Sequence, residues 1–160
     1  MTNKELSLQV RKELKEHGYN TRDFKVSVKD CGYNTSINVV IKNPHINARD
    51  VKGILWHFRD VDYDERTGEI LQGANVYLKI EYEYGVFDIV AQEYAVTARG
   101  IMDIKEKVKC IFDGLYFVHD GNCMELRQDN GKERCAFIIC SFKELCIMLY
   151  KFSEFGTIGV

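Results

Sequence analysis

The chain has 160 residues, 46% of them hydrophobic and 12% aromatic, with a single proline; this excludes a disordered polypeptide and allows one domain or two very small ones. The net charge of −2 is uneven: residues 1–80 hold 13 Lys/Arg against 11 Asp/Glu (+2), and residues 81–160 hold 9 against 13 (−4). Neither half has the basic footprint of a dedicated nucleic-acid binder, and no window approaches the ~18 apolar residues of a membrane span.

Thr2 and Glu5 fit a capping box that opens a helix carrying Leu6, Val10 and Leu14 on one face, with Gly18 just past its end. The first 18 residues hold no apolar signal core, so a cytosolic location is expected. FKVSVK (24–29) alternates apolar and polar residues, as a half-buried strand does, and after the turn residues Asp30, Gly32 and Asn34, SINVVIK (36–42) alternates again. The two read as a hairpin. Asn47 can cap a second helix on which Ala48, Val51, Ile54, Leu55 and Phe58 share a face. NVYLKIEYEY (75–84) reads as a third strand, with Val76, Leu78, Ile80 and Tyr82 on one face.

Residues 85–99 fit a strand or a helix equally well. The spacing of Ile101, Ile104, Val108 and Ile111 predicts a helix over 101–112, ended by Asp113-Gly114. LYFVH, CMELR and RCAFIIC then predict a three-stranded antiparallel meander with turns at Asp120-Gly121-Asn122 and Asp129-Asn130-Gly131. Ser141 and Glu144 form a second capping box before a C-terminal helix bearing Leu145, Cys146, Leu149 and Phe152. The expected class is therefore α+β: a front module over 1–84 (helix, strand, strand, helix, strand) and a second α+β module over 85–160 packed against it, with no linker rich in Pro, Gly or Ser between them.

Between the second helix and third strand lies RDVDYDERTGE (59–69), where Asp60, Asp62, Asp64, Glu65 and Glu69 concentrate. Counted from Asp60 as a calcium loop, position 6 is Glu65 instead of glycine and position 12 is Leu71 instead of glutamate. A solvated acidic loop is the better reading, and no metal is expected. Glu81, Glu83 and Tyr84 extend the acidic candidates for partner contact; Tyr82, Tyr84 and Tyr94 suit either a binding surface or the core. Arg11, Lys12, Lys15, Lys25 and Lys29 could line one face across the first helix and hairpin, a possible weak nucleic-acid contact that Glu13, Glu16 and Asp23 dilute.

Six cysteines (Cys31, Cys110, Cys123, Cys135, Cys140, Cys146) show no Cys-x-x-Cys pair, and buried, reduced thiols are expected. Cys123 and His119 could make a nucleophile and base, but nothing marks a third, orienting group. His17, His45, His57 and His119 are scattered without metal spacing, and no phosphate-cradling glycine motif occurs. No catalytic residue and no cofactor are expected. The residues alone read as an α+β interaction protein.

The ordered series VRKELKE (10–16), FKVSV (24–28), SINVVIK (36–42), NPHINARDVKGIL (43–55), YDERTGEI (63–70) and VYLKIEY (76–82) resembles a large polyvalent protein-associated domain, a module of phage and mobile-element proteins. The resemblance covers half the chain and makes the acidic loop the module's own connection between second helix and third strand. With its different back half, the chain is similar to anti-CRISPR proteins of staphylococcal mobile elements. That resemblance implies a small, non-catalytic protein that binds a type II RNA-guided DNA nuclease in the bacterial cytoplasm and blocks cleavage, with trapping of the HNH nuclease domain as the expected mode. It does not say which residues touch the nuclease. Occlusion of the DNA channel by the acidic residues is a second mode; a DNA-binding autorepressor of a mobile-element operon is an alternative function.

Overall fold

The computed structural model describes residues 1–160 and divides into two compact units, Met1–Val86 and Phe87–Val160. The class is α+β, with four α-helices, a three-stranded sheet and a four-stranded sheet.

In the first unit, α1 (Asn3–Glu16) begins at Thr2, whose hydroxyl accepts from the Glu5 N–H while the Glu5 carboxylate accepts from the Thr2 N–H at 2.8 Å. The capping box predicted from sequence is thus complete. Two of the helix's otherwise orphaned donors are satisfied, an effect of about 1 kcal/mol. Strands β1 (Phe24–Cys31) and β2 (Asn34–Ile41) form the expected hairpin, and after α2 (Ala48–Leu55) and a 3-10 turn at Trp56–Phe58, β3 (Val76–Tyr82) returns parallel to β2. The order in the sheet is β1-β2-β3. Both helices cover one face, where Val10, Leu14, Val51 and Leu55 pack on Phe24, Val26, Ile37, Val39 and Ile41. Truncating one of these buried leucines to alanine costs about 2–5 kcal/mol.

The hydroxyl of Tyr82 ties the end of β3 to the start of α2. It accepts from the Ala48 N–H at 3.0 Å and donates to the Ile46 carbonyl at 2.8 Å. Asn47 satisfies a second donor of that helix terminus, its side chain accepting from the Arg49 N–H at 2.9 Å. Tyr82 is therefore a structural anchor and not part of a free binding surface.

In the second unit, residues 90–94 form a 3-10 turn that runs into α3 (Ala95–Met102). The helix predicted over 101–112 is not formed: α3 ends at Met102, and β4 (Val108–Phe112) pairs antiparallel with β5 (Leu115–His119). Gly114, at φ +77°, makes the turn between them, where a Cβ would come within 2.9 Å of the Asn130 Cβ. Asp113-Gly114 is a hairpin turn and not a helix stop. The meander thus gains a fourth strand, in the order β4-β5-β6-β7, with β6 (Met124–Asp129) and β7 (Arg134–Ile138) as expected. The C-terminal α4 (Phe142–Phe155) starts at Ser141, which accepts from the Glu144 N–H at 3.1 Å.

Leu115, Phe117 and Leu126 pack on Ala98, Ile101, Leu145, Met148 and Leu149 to form the second core. Gln128 is buried among them, yet satisfied: Oε1 accepts from the Ile158 N–H at 2.9 Å and Nε2 donates to the Gly156 carbonyl, fastening the C-terminal segment. A satisfied buried amide of this kind fixes one arrangement of the chain end, because any slippage strands polar groups without water.

Burial pushes the Tyr82 phenol up to about 12 from an ordinary value of 10, against the opposing bond from the Ala48 N–H; Asp50 adds to the rise. The folded chain then holds the phenolic proton over a pH range in which the unfolded chain releases it, so stability falls as pH rises from 10 to 12. Tyr82→Phe should cost about 1–2 kcal/mol near neutral pH, for the two bonds lost. In chemical denaturation at increasing pH, the gap between this variant and the parent should narrow across that window.

Candidate partner-binding surface

The acidic loop is a structured excursion. Asp60 and Val76 exchange backbone hydrogen bonds at 3.0 and 2.6 Å, and a second bridge pairs Tyr63 with Ile70. The loop folds back on itself because Asp64 accepts from the N–H groups of Arg66 and Thr67 at 2.8 and 3.0 Å, while Gly68 turns the chain at φ +71°. Those backbone donors, Thr67 first and Arg66 second, hold the Asp64 carboxyl below the usual aspartate range.

Asn75, nearly fully buried, staples the excursion to the sheet. Its Oδ1 accepts from the Asp62 N–H at 2.8 Å, its Nδ2 donates to the Leu71 carbonyl at 2.9 Å, and its carbonyl accepts from the Thr35 N–H at 2.8 Å. Asn75 carries no signal in the sequence. A lone asparagine before a strand carries no pattern, and only the tertiary pairing gives it a role.

The arrangement suits turn-making better than calcium binding. Asp64 spends Oδ1 on its own turn, the acids of the loop are spread along both arms, and no group of three or more His, Cys, Asp or Glu side chains is placed to hold a metal ion. Asp60, Asp62, Glu65 and Glu69 are exposed, as a solvated acidic rim requires.

The other predicted contact residues do not join them. Glu81 stands on the sheet face away from the helices, paired with Lys79 at 2.7 Å. Glu83 and Tyr84 follow the far end of β3, with Tyr84 98% exposed. The seven residues of β3 separate that end from the loop, roughly 20 Å at the usual rise per residue. The basic residues also divide. Arg11 donates to the Val26 carbonyl at 3.1 Å, Lys12 pairs with Glu16, and Lys15 is exposed on α1, on the helix side of the sheet. Lys25 and Lys29 alternate with the core residues Phe24, Val26 and Val28 and stand on the opposite face. They do not make the single basic face expected from sequence.

What the fold does assemble beside the acidic loop is a line of cations and aromatic rings. Lys52 Nζ lies 5.1 Å from the centre of the Trp56 ring, and the Arg59 guanidinium lies 5.0 Å from Trp56 and 5.6 Å from Tyr63. Arg59 also donates to the Tyr63 hydroxyl. Each cation–ring contact is worth about 0.5–1 kcal/mol at an exposed site, enough to hold the long side chains in one arrangement. Trp56 is 47% exposed, Tyr63 43% and Ile70, paired with Tyr63, 51%. The strip leads to a groove of about 440 Å³ lined by Tyr33, Ile70, Leu71, Asn75 and Tyr77. The sequence signal was the spacing 52, 56, 59, 63, which continues a helical ladder past the end of α2 into the loop.

The remaining chemical candidate is weak. Cys123 lies in the turn after His119, where Asp120 accepts from the Asn122 and Cys123 N–H groups at 3.1 and 2.8 Å. Partial burial, then Glu125 and Asp120, push the Cys123 thiol up, opposite to the shift that activates a nucleophile. The cysteines also differ from the expectation of burial. Only Cys146 is buried; Cys31, Cys110 and Cys140 are exposed, and all six are free thiols. The apolar run around Cys140 leaves β7 at Ile138, after which Ile139 turns into the core and Cys140 faces solvent.

No helix is long and apolar enough to cross a membrane. Two outcomes follow for the loop. Asn75→Ala should cost about 2 kcal/mol and speed amide exchange at Asp62 and Leu71 in hydrogen-exchange mass spectrometry. Millimolar calcium should leave the thermal midpoint within ~1 °C, since stabilisation by a ligand needs a site; a saturable rise would restore the calcium reading. No protein-family model, no curated protein and no solved structure matches the chain.

Proposed function

We propose that this chain is a non-catalytic, stoichiometric inhibitor of a type II RNA-guided DNA endonuclease, acting in the bacterial cytoplasm by holding the HNH nuclease domain in an inactive position. The choice of nuclease rests on the sequence resemblance; the binding role rests on the Trp56–Arg59–Tyr63 strip with its acidic rim. Tryptophan, tyrosine and arginine are the residues that dominate interface energetics, and they do so from the centre of a patch whose charges lie at the edge. Here Asp60, Asp62, Asp64, Glu65 and Glu69 occupy the same loop as the strip.

The physics of HNH trapping is sufficient. Such nucleases separate DNA binding from the HNH docking that licenses cleavage, so a protein that prefers one HNH position shifts the balance by its differential affinity alone. Channel occlusion has less support. A few acids on one loop are a small counterpart to the many phosphates of a duplex, and the net charge of −2 is a poor imitation of DNA. The autorepressor reading loses its motivating feature with the division of the basic residues across the sheet.

The test runs a DNA-binding assay beside a cleavage assay, with guide-loaded nuclease and the same excess of this protein. Cleavage should be lost while target binding persists; loss of both together at every concentration would sink HNH trapping. Trp56→Ala should weaken co-elution with the nuclease at least ~10-fold, the loss of a hot-spot side chain, at little cost to folding because Trp56 is half-exposed. Asp60, Asp62 and Asp64 changed together to lysine should slow association and alter its salt dependence more than they change dissociation.

A further inference from the structure

Strands β6 and β7 pair with Glu125 opposite Ile138 and Leu126 opposite Phe137, and the Ile139 N–H donates to the Met124 carbonyl at 2.8 Å. Continued by two residues, this register sets Cys123 directly opposite Cys140. Because the Met124–Ile139 bond flanks the Glu125–Ile138 pair, that pair is of the non-hydrogen-bonded kind, and so is the Cys123–Cys140 position two residues on. Such pairs bring Cα atoms to about 4.5 Å, within the range a disulfide spans. Alternation puts both thiols on the sheet face of Glu125 and Ile138, away from the core. Cys140 is exposed and Cys123 partly so.

We infer that Cys123 and Cys140 form an oxidisable cross-strand dithiol, a modification site at which a peroxide closes an intramolecular disulfide. The exposed Cys140 sulfur attacks the peroxide oxygen, becoming a sulfenic acid as the O–O bond breaks and an alcohol (water, from hydrogen peroxide) leaves. Cys123 then attacks the Cys140 sulfur, the S–S bond forms, and the sulfenic oxygen departs as water with the Cys123 proton. Two thiols and one peroxide give one disulfide, one alcohol and one water. Burial raises the Cys123 thiol, so the exposed Cys140 is the sulfur that meets peroxide first and Cys123 is the one that resolves.

No other pairing competes. Cys146 is buried and Cys135 lies against the buried Gln128 at 3.8 Å, on the core side. Cys31 ends β1 in the first unit, and Cys110 on β4 is two strand positions from β6 and three from β7, roughly 10 and 14 Å across the sheet. The bridge would close the open end of the β6–β7 hairpin at the residue before the Ser141 cap of α4, where the Cys140 N–H already donates to the Glu144 carboxylate at 3.1 Å.

The test oxidises the purified chain with dilute hydrogen peroxide, alkylates free thiols and sequences tryptic peptides by mass spectrometry. The Cys110→Ser/Cys135→Ser variant is treated in parallel, leaving one cysteine in each of the two relevant peptides. The expected product in both is a single Cys123–Cys140 bridge, reversed by dithiothreitol, with the thermal midpoint raised by about 5 °C or more through closure of the hairpin loop. Cys123→Ser should divert Cys140 to sulfinic acid. Oxidation of Cys140 beyond sulfenic acid in the parent chain with Cys123 still alkylatable, or a bridge to any other cysteine, would overturn the inference.

Discussion

The first unit depends on one topological constraint: β3 runs parallel to β2. Antiparallel strands can be joined by a two-residue turn, as β1 and β2 are through Gly32 and Tyr33, but parallel neighbours require the chain to return to the end from which it started. Residues 42–75 make that crossing. α2 carries the chain back along the sheet and satisfies its own backbone polar groups, and the acidic excursion of 59–75 delivers it into register at Val76. The two fastenings of the crossing sit where its direction changes: Tyr82 at the start of α2, and Asn75 at the entry to β3. Without them the helix terminus and the loop carbonyls would be left with unpaired polar groups at the edge of the core, each a loss comparable to a broken hydrogen bond.

The same crossing explains why an acidic segment is tolerated there. Asp60, Asp62 and Asp64 repel one another only weakly in water at the spacing of alternate residues, and salt screens what remains. The Thr67 and Arg66 backbone donors favour the ionised Asp64 carboxylate, which is the sense of its lowered protonation equilibrium. The Arg59 guanidinium at the base of the loop offsets part of the charge while it spans Trp56 and Tyr63. The loop is thus built from turn chemistry and cation–aromatic contacts, and its carboxylates are left facing solvent.

Much of the fold was legible in the sequence wherever periodicity and local hydrogen bonding agree. Thr2/Glu5 form the full capping box that their spacing predicts, Ser141 caps its helix while the Glu144 carboxylate accepts from the Cys140 N–H instead of closing the box, and the alternation in FKVSV and SINVVIK places Phe24, Val26, Ile37 and Val39 in the core. The pattern misleads at 101–112, where apolar residues at 101, 104, 108 and 111 fit a helix but Ile101 belongs to α3, Val108 and Ile111 to β4, and Ile104 to the connection between them. Polar Lys105, Glu106 and Lys107 suit an amphipathic helix as well as a connection, and the hairpin at Asp113-Gly114 gives Val108–Phe112 a partner strand that a local pattern cannot see. The cysteines mislead for a related reason. Apolar surroundings suggest burial for a thiol, but Cys110 faces solvent on β4, and Cys31 and Cys140 stand at or beyond strand ends, where the core does not reach. Of the surface, the acidic loop is visible as composition; the aromatic strip is marked only by the spacing 52, 56, 59 and 63, which gains meaning once α2 and the loop are seen to meet.

A binding surface carried by a crossing connection is favoured energetically only if it is ordered before the partner arrives, since immobilising each long side chain on binding costs about 0.5–1.5 kcal/mol. The strip meets that condition in its own construction. Arg59 is held by two rings and a hydroxyl, Tyr63 by its pairing with Ile70, and the backbone beneath them by Asn75. The side chains with the most rotamer freedom are those already restrained, whereas the exposed acids around them remain solvated. Apolar and π contact from the strip would then set how long a complex lasts, and the acidic rim how quickly it forms. Speed of encounter would then fall on charge that costs the fold little, and persistence of contact on rings that the crossing itself holds in place.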